Sequence, residues 1–138
     1  MSLVGLPTTV ERHDTPPPGW LEVYLSAITP NRRAINQQIL RGIPQPRAFL
    51  LASRNGQPLA TGLGVVKDSV GIVECMATRA EVRRTGAAHA VLDGIEHFAA
   101  ERGARTLCLQ VVSDNVPAIR LYEKAGYEPI SVTRYFTR

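Results

Sequence analysis

The thirty residues from Val70 to Ala99 constrain this chain more than any other stretch. Val70-Gly71-Ile72-Val73-Glu74-Cys75-Met76-Ala77-Thr78 is rich in strand formers, and Arg83-Arg84-Thr85-Gly86-Ala87-Ala88 follows it after a short gap. Beyond the hexad, Ala88, Val91, Leu92, Ile95, Phe98 and Ala99 recur at helical spacing, with His89, Asp93, Glu96 and His97 on the opposite side. A strand, a short loop and a glycine at a helix entrance aim several unpaired backbone N–H groups and the positive end of a helix dipole at one point. Such a point suits phosphate or pyrophosphate. Gly86 lets a ligand approach the backbone, Ala87 and Ala88 keep the approach open, and Arg83 and Arg84 add positive charge beside Thr85. Without a ligand the same hexad is an ordinary strand–loop–helix junction with surface arginines. It lacks the Gly-Lys-Ser/Thr ending of a nucleotide P-loop and the three spaced glycines of a dinucleotide fold.

A second block lies downstream: Asn115-Val116-Pro117-Ala118-Ile119-Arg120-Leu121-Tyr122-Glu123-Lys124-Ala125-Gly126-Tyr127. Together the two blocks resemble the GNAT superfamily of N-acetyltransferases. Its donor-binding signature, Gln/Arg-x-x-Gly-x-Gly/Ala, is met by Arg83, Gly86 and Ala88. Its later signature, Asn-x-x-Ala-x-x-Leu-Tyr-Glu-x-x-Gly-Phe/Tyr, is met by Asn115, Ala118, Leu121, Tyr122, Glu123, Gly126 and Tyr127. The resemblance covers residues 70–128 closely and the rest in architecture only. Thr78 stands where the family usually has an aliphatic residue, and Ala80 where a proline often sits.

The resemblance implies an α/β fold with a mixed, mostly antiparallel central sheet, a β-α-β donor-binding core and flanking helices, with residues 1–138 forming one domain. It also implies transfer of an acetyl group from acetyl-CoA to a primary amine, directly in a ternary complex and without a metal. Backbone amides near Met76, Ala77 and Thr78 would hold the pantetheine arm and polarise the acetyl carbonyl. Residues Arg83 to Ala88 would hold the diphosphate, the side chain of Asn115 the pantetheine amides, and Ala118 would line the same donor site. Tyr122 would protonate the departing thiolate. A phenol has an ordinary pKa near 10 and keeps its proton at neutral pH; the same residue is otherwise a core tyrosine. Glu74 is a candidate base, and equally a solvated strand residue or an ion-pair partner. A homodimer is common among relatives.

The charge balance narrows the partner class. Two lysines, Lys67 and Lys124, leave 14 of the 16 basic residues as arginine, scattered without a run, and the net charge is +4. Nucleic-acid binding prefers a clustered basic stripe with interleaved aromatics; a scattered basic surface suits a phosphate-bearing small molecule. No apolar run approaches a membrane span and no signal-peptide layout opens the chain, so a cytoplasmic location is expected. Cys75 and Cys108 sit alone in apolar strands, without the spacing of a metal site, and read as small buried thiols.

Elsewhere the elements follow from local signals. Residues 8–13 form a first strand and Pro16-Pro17-Pro18 a stiff connector. Trp20, Val23, Tyr24, Ala27 and Ile28 share one face of a helix bounded by Pro30, with the two aromatics assigned to the core. Asn31 is placed to cap a second helix carrying Ile35, Ile39 and Leu40 and ending at Gly42. Strands are expected over 48–53 and 59–66, joined by the hairpin signal Asn55-Gly56, and Asp68-Ser69 turns the chain into the next strand. Ala60, Gly62 and Gly64 share a nearly bare face, which requires a helix or a ligand close against it. Gly103 ends the long helix, and residues 106–112 return as a strand parallel to 70–78. Asp114 or Asn115 caps a last helix with Pro117 in its first turn, and one bent strand from Glu128 onward closes the chain.

Overall fold

The computed structural model describes residues 8–79, 86–110, 116–129 and 135–137. Seven strands form one sheet: β1 (Thr9–His13), β2 (Arg47–Arg54), β3 (Gln57–Lys67), β4 (Val70–Thr78), β5 (Thr106–Gln110), β6 (Glu128–Pro129) and β7 (Tyr135–Thr137). Four α-helices flank it: α1 (Trp20–Ser26), α2 (Arg33–Arg41), α3 (Ala87–Glu101) and α4 (Val116–Lys124). The strand order is β1-β2-β3-β4-β5-β7-β6, and β4–β5 is the parallel pair while the others run antiparallel.

Both hairpins that build β2–β3–β4 have two-residue loops whose central residues take positive φ. They are Asn55 (51°) with Gly56 (76°), and Asp68 (51°) with Ser69 (66°). That is the primed turn geometry whose twist matches the flanking strands, and Asn and Asp tolerate it best among residues with a side chain. The meander read from the sequence is therefore set locally. The crossover from β4 through α3 to β5 gives the parallel pair, with Val70 opposite Thr106 and Val73 opposite Leu109.

The bare face of β3 lies under α3. A Cβ on Gly62 would come within 2.5 Å of Val91 Cγ1 and 2.8 Å of Ile95 Cδ1, so the glycine permits the helix to pack down on the sheet. This face, with Leu50, Val91, Leu92, Ile95, Phe98 and Tyr122, forms one core cluster. The other face, with Trp20, Tyr24, Leu40, Phe49, Leu51 and Leu63, forms a second cluster under α1 and α2. Trp20 and Tyr24 are core residues, with Trp20 stacked edge-on against Phe49 at 5.0 Å between ring centroids.

Three local expectations change. Asn31 lies in a 3₁₀ turn (Pro30–Arg32), and α2 starts just beyond it, at Arg33, without a side-chain cap. Proline at the start of that turn fixes the φ that begins it. The Arg33 guanidinium instead closes the end of α1, donating from Nε to the carbonyls of Leu25 (3.0 Å) and Ile28 (3.1 Å). On α2, Leu40 is buried while Ile35 and Ile39 are 56% and 57% exposed. The C-terminal segment forms two short strands rather than one bent strand, with β7 inserted between β5 and β6.

Candidate active site

The candidate site has three pieces: the start of α3, the far half of β4, and α4. Gly86 is the N-cap of α3, at φ 84° and ψ 2°, a left-handed conformation that costs any residue with a Cβ. No side chain caps this helix end. The helix's first described bond runs from the Ala90 N–H to the Gly86 carbonyl, 3.0 Å, so the amides of Ala87, Ala88 and His89 precede the intrahelical ladder. Among the described residues nothing lies within 4 Å of a Cβ placed on Gly86. Among the described residues, this fifteen-residue helix thus begins at its positive end with amides that no side chain caps. Arg83, Arg84 and Thr85 lie outside the described residues, as do Asn115 and Ala80.

The second piece is the far half of β4, on the side away from β3. Its ladder with β5 runs over four pairs and ends at Val73↔Leu109 among the described residues, while β4 continues to Thr78. On the other side β3 follows it to the end, with Thr61 opposite Ala77 and Ala60 opposite Thr78. The Arg79 N–H donates to the Leu59 carbonyl at 3.0 Å. Strand alternation from that bond turns the peptide group of Ala77 toward β3 and those of Met76 and Thr78 away from it. Of the three consecutive residues expected to hold an acyl carrier, the two outer ones face away from β3 and the middle one belongs to the ladder.

The β3–β4 ladder breaks just before these residues. Leu63 pairs with Glu74 and Thr61 with Ala77, so Gly62 alone faces both Cys75 and Met76. Cys75 takes φ 57°. This is a β-bulge with a left-handed residue that is not glycine, and it re-aims the strand beyond it. Nothing in the sequence marks Cys75 for this conformation, since cysteine is not among the residues that favour it. The pair Gly62 and Gly64 on the opposing strand was the one available hint that β3 and its neighbours are unusual here.

The third piece is Tyr122 on α4, 5% exposed and packed edge-on to Tyr127 with ring centroids 6.0 Å apart. The Tyr127 hydroxyl donates to Glu96 Oε2 on α3 at 3.0 Å, tying the end of α4 to the donor-site helix. Burial pushes the Tyr122 phenol up to about 12, so its hydroxyl is protonated throughout the neutral range. Ala118 lies on the same helix, one turn earlier.

The remaining candidates separate clearly. Glu74 is exposed on β4 at the bulge. Cys75 lies next to it, its thiol pushed up to about 12, first by burial, then by the Glu74 charge, against a lowering hydrogen bond from Tyr24. A thiol held that high carries no thiolate at neutral pH and is not a nucleophile. Both cysteines are free. His13 and His89 are exposed, and His97 pairs with Asp93 at 3.7 Å on the outer face of α3. Among the described residues no group of three or more His, Cys, Asp and Glu side chains is placed to hold a metal ion.

A helix start without a side-chain cap, a bulged strand and a buried tyrosine follow one another along the chain. A model of the Acetyltransferase (GNAT) family matches residues 12–127. The chain belongs to the GNAT acetyltransferase family. It is 28% identical over 118 residues to the uncharacterized N-acetyltransferase YobR of Bacillus subtilis (strain 168), a match that covers 84% of this chain and 48% of YobR. The chain therefore spans about half the length of that curated relative. Among solved structures it superposes on a GNAT-family acetyltransferase from Staphylococcus aureus Mu50 with a TM-score of 0.74 at 14% identity, covering 94% of this chain and 98% of that one. It also superposes on the ribosomal-protein-S18-alanine N-acetyltransferase of Escherichia coli, with a TM-score of 0.71 at 18% identity, covering 95% and 91%. At these identities the structural matches speak for the fold. The α/β fold with its mostly antiparallel sheet, expected from the two sequence blocks, is the fold of these GNAT structures.

Proposed function

We propose that this GNAT domain transfers an acetyl group from acetyl-CoA to a primary amine, directly, in a ternary complex. The reading rests first on the uncapped start of α3 at Gly86, with open space before it among the described residues. The diphosphate of CoA would accept from the amides of Ala87 and Ala88, with Arg83, Arg84 and Thr85 beside it. The pantetheine arm would lie in the gap beyond Val73, replacing β5 as the hydrogen-bonding neighbour of Met76 and Thr78, with Asn115 and Ala118 on its other side. That edge offers donors already oriented by the sheet, so a thioester carbonyl placed there is polarised with little reorganisation.

The amine lone pair then attacks the carbonyl carbon, the C–S bond breaks, and the amide product forms as the thiolate leaves. The thiolate takes its proton from Tyr122, and the attacking nitrogen loses one to water or to Glu74, which is exposed at the bulge. A phenol at about 12 is a weaker acid than a free thiol near 8.5, so the transfer looks uphill. The same dry surroundings raise the thiol as well, which narrows the difference, and a hydrogen bond from the hydroxyl stabilises the charge as it develops. The reaction as drawn needs no metal. A cytoplasmic location fits both the donor and two cysteines kept as thiols.

Turnover decides the matter. Release of free CoA from acetyl-CoA in the presence of a panel of small amines, amino-acid amides and short peptides is the expected result for at least one acceptor. Tight binding of CoA with no turnover on any of them would mark a CoA-holding module instead.

A further inference from the structure

Three side chains that take no part in the chemistry above converge on the bulge in β4. Thr61, fully buried on β3, donates its hydroxyl to the Cys75 carbonyl at 3.0 Å. Trp20, fully buried on α1, donates its indole N–H to the carbonyl of Gly62, the residue facing the two-for-one step, at 3.3 Å. Tyr24, one turn further along α1, packs in the same apolar cluster as Cys75 and accepts through its hydroxyl from Asn36 Nδ2 at 3.1 Å. A left-handed residue with a side chain persists only where its surroundings over-determine it. Here the carbonyl of Cys75 is held, and the carbonyl of the opposing residue is held as well. The peptide group that follows Cys75 carries the Met76 N–H, which alternation turns away from β3.

We infer that Thr61, Trp20 and Tyr24 are positioning residues for the thioester: they fix the left-handed turn at Cys75 and thereby aim the Met76 amide at the acetyl carbonyl. This rests on the acetyl-CoA reading of the gap. Its physical content is that the pull on the carbonyl is set from the α1 face of the sheet, the face opposite α3 and Tyr122. A hydroxyl at Thr61 fixes the orientation of a peptide plane that it reaches through Cys75, so its loss weakens polarisation of the carbonyl more than it weakens grip on the carrier. A residue of purely structural value would instead lower stability and affinity together.

The test uses acetyl-CoA carrying carbon-13 at the thioester carbonyl, bound to the full chain and read by difference infrared spectroscopy, with affinity from calorimetry and melting temperature beside it. In the wild type the carbonyl band should lie below its position in water. Thr61→Val keeps the branched shape and removes the donor. It should return the band at least halfway toward water while the dissociation constant stays within about threefold. Thr61→Ser should restore the wild-type band, and Tyr24→Phe should give a partial return. Coincident bands in wild type and Thr61→Val would overturn the inference, as would a band shift that follows affinity and melting temperature in proportion. Should the wild type fail to bind acetyl-CoA at all, the donor reading falls first and this inference with it.

Discussion

Tyr122 is the residue to which the proposed mechanism assigns the thiolate's proton. If it delivers the proton to the thiolate, Tyr122→Phe should lower kcat by about a hundredfold, the low end for a general acid, with KM for acetyl-CoA changed little. Steady-state kinetics on any acceptor found for the wild type reads both. Three buried protons also set the alkaline limit of the fold. Tyr122 and Tyr24 are pushed from the ordinary 10.0 to about 12, and Cys75 from 9.0 to about 12, each chiefly by burial. The unfolded chain releases these protons at lower pH than the folded one. Their contribution is therefore complete below pH 9 and is lost as pH rises from 9 to 12. Urea midpoints should be level between pH 7 and 9 on their account and fall above that. A level midpoint from pH 9 to 11 would mean these groups are far wetter than the structure has them.

At the level of elements, the packing of α3 on β3 depends on a missing side chain. Gly62→Ala would set a methyl group 2.5 Å from Val91 Cγ1 and 2.8 Å from Ile95 Cδ1. Overpacking of that kind costs about 1–3 kcal/mol, to be read as a lower denaturant midpoint at unchanged slope. The exposed ridge of α2 should respond quite differently. Replacing Ile35 and Ile39 by serine removes two side chains already more than half in water, so stability should move by less than about 1 kcal/mol. Much of this was legible in the sequence. Asn55-Gly56 and Asp68-Ser69 wrote the meander because a two-residue turn depends on its own φ values. The glycines of β3 announced a close neighbour, though not whether helix or ligand. What escaped was set by tertiary contact: the left-handed Cys75 is held by Thr61 from β3 and packed against the cluster of Tyr24, and the exposed face of α2 is decided by where Leu40 and Asn36 find partners.

For the molecule as a whole, the sheet separates two tasks. The proposed donor site and acid belong to the α3 and α4 side, while α1 and α2 cover the other face. The family was readable from residues 70–128 because both signature blocks fall there, whereas the acceptor has no comparable motif. Among the described residues no helix is long and apolar enough to cross a membrane. Everything proposed for the site requires the open start of α3 to take the diphosphate of CoA. Calorimetric titration of the folded protein with CoA and with pantetheine, which lacks the diphosphate and nucleotide, tests this directly, repeated on Gly86→Val. The expected result is one-to-one binding of CoA, weakened roughly a hundredfold or more when the charge-assisted bonds are absent in pantetheine, and weakened again in the variant. No heat with CoA, or equal affinity for pantetheine, would contradict it.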